Sequence, residues 1–175
     1  MRLTKENLPA FQALVRDMRR VAKEECGIEP ILILQLTHSG RQSIRPMIAY
    51  RHPIYEETRP VTDDNIVSDE YLDTLAEKYV ASAKLAVEAG FDGVDVKSCH
   101  GYLIQELLSA FSREGRYGGC FENRTRLYLD CFRAVRNAIP DGFLLTARLS
   151  VSDMVPKPYG FGTTESNELD LTEPD

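Results

Sequence analysis

No tryptophan occurs in this 175-residue chain, while histidine occurs three times and cysteine four times. The cysteines, Cys26, Cys99, Cys120 and Cys131, are scattered without a CxxC pair. That spacing excludes a clustered-thiolate zinc or iron-sulfur site and favours reduced thiols over a disulfide frame. His38, Cys99 and His100 lack the spacing of a metal site as well. An excess of base is also missing: 21 Lys and Arg against 27 Asp and Glu leave a formal charge of −6, the wrong sign for a nucleic-acid partner. No apolar run approaches the roughly 20 residues that span a bilayer, and the opening MRLTKENLPAF has no signal-peptide core. The expectation is a cytoplasmic chain without a membrane partner.

What is present is an ordinary globular composition, 43% hydrophobic and 27% charged, arranged in a βα rhythm. Leu8, Phe11, Leu14, Val15, Met18, Val21 and Ala22 recur at helical spacing, with Thr4 as an expected N-cap and Gly27 just past the end. Residues 31–36 form a short apolar run of the kind found in strands buried on both faces. Three prolines and no clear period make residues 43–67 a long irregular excursion. Ser68 then caps a helix whose first turn carries Asp69 and Glu70, whose stripe runs from Leu72 to Val87, and which Gly90 ends. Phe91, Val94 and Val96 make the next strand, and a helical stretch follows over residues 103–111. Asn123 is expected to cap a third long helix that Pro140 stops, and residues 143–149 supply the last strand. Strands separated by helices imply parallel pairing. The final eleven residues, ESNELDLTEPD, read as a solvated acidic tail.

The strand over residues 91–96 runs into a loop holding Lys97, His100 and Tyr102 within six positions. Functional groups of parallel α/β sheets collect at the carboxyl ends of strands, so this cluster is the leading candidate for chemistry. Two members of the cluster, and the strand-end candidates Gln35 and Arg148, also have plain structural readings. Tyr102 could pack after a glycine turn, His100 could serve its loop, Gln35 could satisfy local backbone at a strand end, and Arg148 could pair with one of many acids.

Four stretches shift the balance. Lys97-Ser98-Cys99-His100-Gly101-Tyr102-Leu103 resembles the His-x-x-His/Asn-Gly-Tyr-Leu segment of the flavin-dependent Old Yellow Enzyme family, the NADH:flavin oxidoreductases. The segment from Tyr117 to Arg124 is similar to that family's Tyr-Gly-Gly-Ser-x-Glu-Asn-Arg. Gln35-Leu36-Thr37-His38-Ser39-Gly40-Arg41 resembles its Gln-Leu-Trp-His-x-Gly-Arg, and Ala147-Arg148-Leu149-Ser150 its strand-five Val-Arg-Leu-Ser. The resemblance implies an FMN cofactor reduced by NADH or NADPH and a small-molecule substrate with an unsaturated carbonyl. It implies that Tyr102 is the proton donor, because phenols hold their proton at neutral pH and can yield it to a developing enolate. It places His100 and Lys97 as donors to the substrate's carbonyl oxygen, with oxyanion-hole logic. It assigns Gln35 to the polar edge of the flavin ring and Arg148 to the region of N1 and the C2 carbonyl. Two departures stand out: Thr37 replaces the family's Trp, and Lys97 replaces its first His, exchanging an imidazole for a longer, charged donor.

The resemblance spans roughly residues 8–153 yet corresponds only to about strands three to five of an eight-stranded barrel. A closed barrel takes about 250 residues. The expected fold is therefore α/β, an incomplete (βα)8 TIM barrel of about three parallel βα units over residues 1–155, with a loop or acidic tail over 156–175. The loops that hold the cofactor's phosphate, after strands seven and eight, have no counterpart here, so flavin binding by this chain alone is expected to be weak. Open sheet edges recruit other chains, which leads to the expectation of a homo-oligomer. The alternative is a truncated, non-catalytic fragment stable only by association.

Overall fold

The computed structural model describes residues 3–170. Three strands, β1 (Ile33–Leu36), β2 (Gly93–Ser98) and β3 (Leu144–Leu149), form one parallel sheet in sequence order. Helices precede or link them: α1 (Leu8–Cys26), α2 (Pro53–Glu56), α3 (Asp69–Asp73), α4 (Leu75–Ala89), α5 (Leu103–Leu108) and α6 (Phe121–Ala138). This is an α/β arc of the TIM-barrel type, as expected. Among the described residues no helix is long and apolar enough to cross a membrane.

Alternation along β2 builds the two faces. Val94 and Val96, fully buried, turn toward the helical layer, where Leu72, Leu75, Ala83, Ala86, Leu103, Leu107, Leu127 and Val135 complete the core. The intervening residues Gly93, Asp95 and Lys97 lie on the opposite, concave face. Gly93 is required there because a Cβ would meet the Leu144 carbonyl oxygen at 2.7 Å and the Leu144 Cβ at 2.6 Å. α4 lies between α1 and α6, so the three long helices support the sheet from one side.

Local stop and start signals behave as chemistry dictates. Gly27 and Gly90 end α1 and α4 in the left-handed conformation, which costs glycine nothing. Ser68 accepts the Tyr71 N–H at 3.2 Å and starts α3. One helix becomes two here, because the chain breaks at Thr74 between α3 and α4.

Several expectations need correction. The N-cap of α1 is Asn7, not Thr4; Thr4 instead donates its N–H to the Asn7 side chain at 2.7 Å, and Pro9 occupies the first turn. Asn123 lies inside the first turn of α6, which begins at Phe121 after Cys120. β1 is not buried on both faces: Ile31 is 69% and Ile33 40% exposed, because β1 is a sheet edge with a neighbour on one side only. The stretch 43–67 is ordered, holding α2, a parallel bridge between Ile48 and Ile66, and buried Ile48, Ala49, Tyr50, His52 and Val67. Arg113 fastens it from a distance, donating to the Ala49 and Val67 carbonyls and to Asp69. The acidic end is folded as far as it is described, with an antiparallel bridge between Thr163 and Leu169 and the Asp170 N–H donating to the Gly162 carbonyl. Residues 171–175 of that tail lie outside the described residues.

Candidate active site at the carboxyl end of the sheet

Parallel register carries functional side chains across the concave face in two rows. The lower row is Gln35, Asp95 and Thr146, adjacent on β1, β2 and β3. Asp95 ties it together, accepting from Gln35 Nε2 at 2.9 Å and from Thr146 Oγ1 at 3.1 Å. One step toward the carboxyl end, Lys97 on β2 is in register with Arg148 on β3. An amide, an ammonium and a guanidinium thus occupy one face of neighbouring strands. Asp95 was passed over in the sequence, although the two-residue spacing to Lys97 in a strand was enough to place both on one face.

Beyond β2 the backbone turns sharply. His100 (φ 62°) and Gly101 (φ 65°) are both left-handed, a rare conformation for a histidine. The Gly101 N–H donates to Gln105 Oε1 at 2.6 Å and the Leu103 N–H to the His38 carbonyl at 3.2 Å, binding this turn to the end of β1. The turn delivers Tyr102 to the N-terminus of α5 and folds its ring over Lys97. The Lys97 Nζ lies 3.4 Å from the ring centroid, a direct cation–π contact. The structure therefore brings Lys97 and Tyr102 together. His100 is exposed on the turn and shares no hydrogen bond or ring contact with either.

A buried polar layer holds these elements in place. Arg41, in the 3-10 turn after β1, donates to Glu106 Oε1 of α5 at 3.1 Å from Nε and 2.5 Å from a terminal nitrogen, and to the Tyr50 carbonyl at 2.9 Å. Both side chains are almost wholly buried. Burial pushes the Glu106 carboxyl up to about 7 against the pull of Arg41. Nearby, His38 Nδ1 accepts the Gly40 N–H at 3.1 Å, which leaves Nε2 as the proton-bearing nitrogen of the neutral ring, 2.8 Å from the Tyr71 hydroxyl. Burial, aided by the charge of Lys78, lowers the His38 pKa. A cavity of about 640 Å³ opens beside the free edge of β1, lined by Leu34, His38, Met47, Tyr71, Lys78 and Tyr79 among others.

The donor set fits one end of a flavin. Gln35, Lys97 and Arg148 can meet the carbonyl oxygens and ring nitrogen of an isoalloxazine edge, whose reduced form carries negative charge.

Three parallel strands backed by helices, with a polar row at their carboxyl ends, define one arc of a flavin-type (βα)8 barrel. The chain belongs to the NADH:flavin oxidoreductase / NADH oxidase family, whose sequence profile matches residues 3–170. It is 34% identical to an NADPH dehydrogenase of Clostridium acetobutylicum over 137 residues, 70% of this chain and 37% of that one. It is 31% identical to the NADH:flavin oxidoreductase FG08077 of Gibberella zeae over 142 residues, 69% of this chain and 34% of that one. The Old Yellow Enzyme of Pichia sp. AKU4542 superimposes with a TM-score of 0.68 and 26% identity, over 85% of this chain and 41% of that one. The chain thus spans about a third of the length of its curated relatives.

Proposed function

We propose that this chain supplies the substrate-side arc of an FMN-dependent oxidoreductase of the Old Yellow Enzyme type, acting on an electron-poor small molecule such as an unsaturated carbonyl compound. Bound FMN would take hydride from NADH or NADPH and pass it to the β-carbon of the substrate. The chain's own residues prepare that event. Gln35 and Arg148 hold the ring, Lys97 donates to the substrate's carbonyl oxygen with His100 at the turn, and the Tyr102 hydroxyl returns a proton to the α-carbon. The observation that carries this reading is the alignment of Lys97 with Arg148 one step above Gln35, with Tyr102 against Lys97. A cytoplasmic location suits the nicotinamide supply.

The test is a titration of FMN fluorescence with the purified chain. Each charge-assisted bond to a phosphate contributes roughly 1.5 to 3 kcal/mol, so a site that meets only the ring binds weakly and loses FMN on desalting. Weak, saturable quenching that the double variant Gln35→Ala, Arg148→Ala abolishes supports the proposal. Quenching that never saturates, or that ignores both substitutions, overturns it.

A second reading has its own observation. Ile31, Ile33, Leu144, Leu149 and Val151 are exposed along the two free edges, as expected of a non-catalytic arc that persists by association, most simply with further copies of itself.

A further inference from the structure

Burying an ammonium is costly unless a counter-charge or hydrogen-bond acceptors replace its water. Three Lys or Arg residues are buried as whole residues among those described, Arg41, Lys97 and Arg124, and the Arg113 side chain, also buried, pairs with Asp69. Arg41 meets the Glu106 carboxylate, and Arg124 donates to the carbonyls of Gly119 and Leu108. Lys97, only 7% exposed, has the face of Tyr102 and, among the described residues, no carboxylate within ion-pair distance. Its in-register neighbour Arg148 likewise has no acid partner among the described residues. The acid on this face, Asp95, sits a row away with its two oxygens already receiving Gln35 and Thr146. The upper row therefore carries a buried ammonium without a carboxylate partner, beside an exposed guanidinium.

We infer that Lys97 reads an anionic group, most simply a carboxylate, on the substrate, so that this site selects acids over neutral carbonyl compounds. The inference rests on the proposed reading of the site and deepens it by naming the substrate class. A carboxylate lying above the concave face would accept a charge-assisted hydrogen bond from Lys97 Nζ, with Arg148 adding favourable potential from the next strand. Tyr102 would keep the ammonium aimed, since the cation–π contact restricts a side chain that otherwise swings on four carbons. Lys97 is thus both a donor to the substrate and the residue that sets its charge.

The experiment needs no flavin. Lysine and tyrosine side-chain resonances of isotopically labelled protein are followed by NMR at low salt while cinnamate is added, and separately its neutral isostere cinnamamide. Saturable shifts of Lys97 Cε and the Tyr102 ring are expected with cinnamate, at an affinity about tenfold or more above that for cinnamamide, equivalent to about 1.4 kcal/mol. Lys97→Met should abolish the preference and Lys97→Arg should retain much of it, so a folded Lys97→Arg protein keeps the test valid if Lys97→Met fails to fold. Equal affinity for the two ligands, no saturable shift with cinnamate across its solubility range, or a preference that survives Lys97→Met would each overturn the inference. Cinnamate binding at Lys97 in a sample that shows no FMN quenching would sink the flavin reading and leave the anion site standing.

Discussion

The seam between β1's end and α5 and the two outer edges of the sheet follow opposite rules. At the seam, polar groups are buried in pairs, Arg41 with Glu106, Tyr50 with Ser109 and Gly101 with Gln105, although Arg41 Nη1 and Glu106 Oε2 keep no hydrogen-bond partner among the described residues. At the edges, apolar side chains stand in solvent, with Ile33 and Leu144 each 40% exposed and Leu149 50%. The contrast separates what this stretch of chain stabilises by itself from what a barrel neighbour would cover. The catalytic candidates stand on the border. Tyr102 and Lys97 are fixed by the seam, whereas Gln35 and Arg148 stand exposed on the edge strands.

The largest effect should come from breaking the seam. Arg41→Ala leaves the Glu106 carboxylate buried without its partner, and removal of one member of a buried pair costs about 3 to 5 kcal/mol. Urea unfolding of the purified variant measures this, and a loss under 1 kcal/mol would mean that the pair is solvated in solution. Next in size is the contrast between truncations. Val96→Ala in the fully buried face should cost about 1 to 3 kcal/mol, whereas Leu144→Ala on the open edge should stay within about 0.5 kcal/mol. Equal losses would show that the edge is already covered, and light scattering on the same samples should then report an oligomer that Ile33→Lys and Leu144→Lys dissociate.

A smaller effect belongs to His52, buried and stacked on Tyr55 with ring centroids 3.9 Å apart. Burial, reinforced by Arg41, lowers its pKa to about 4. The folded state thus prefers the neutral ring, so this contribution is complete above about pH 6.5 and is lost as pH falls toward 4. Glu106 and Asp153 act in the opposite sense, because burial raises their carboxyls to about 7 and about 6, and acidification through that range favours the fold. Comparing His52→Gln with the natural chain by unfolding at pH 7 and pH 4.5 isolates the histidine. The natural chain should lose about 1 to 3 kcal/mol more than the variant over that interval. Parallel losses would place the acid sensitivity elsewhere.

The parts of this fold legible in the sequence are those set by near neighbours. The stripes of α1 and α4, the glycines that stop them and the serine at the start of α3 depend on residues within a turn or two. The three strands and their parallel order followed from the same periodicity. Residues 43–67 were misjudged because their order depends on Arg113, more than forty positions away, reaching the Val67 and Ala49 carbonyls. Exposure of β1 was missed because an apolar run reports what a strand is suited to touch rather than what stands beside it. At the site, Lys97, Tyr102, Gln35 and Arg148 were named from motifs, whereas the cation–π contact and the clasp of Asp95 needed three dimensions. The left-handed turn that carries the exposed His100 was equally invisible, since no local signal demands that conformation of a histidine.

Among the described residues the sheet has three strands, all pointing the same way, and that count limits what copies of this arc can do for one another. Head-to-tail pairing of a β3 edge with the next β1 edge adds strands in multiples of three, whereas a ring of the family's type needs eight. Two copies fall short and three overshoot. Such tiles could shield each other's apolar borders, yet a strand count in threes keeps identical copies from closing a ring of eight. For a three-stranded arc, covered borders and a closed ring are therefore separate outcomes, the first obtainable from identical neighbours and the second only from unlike ones.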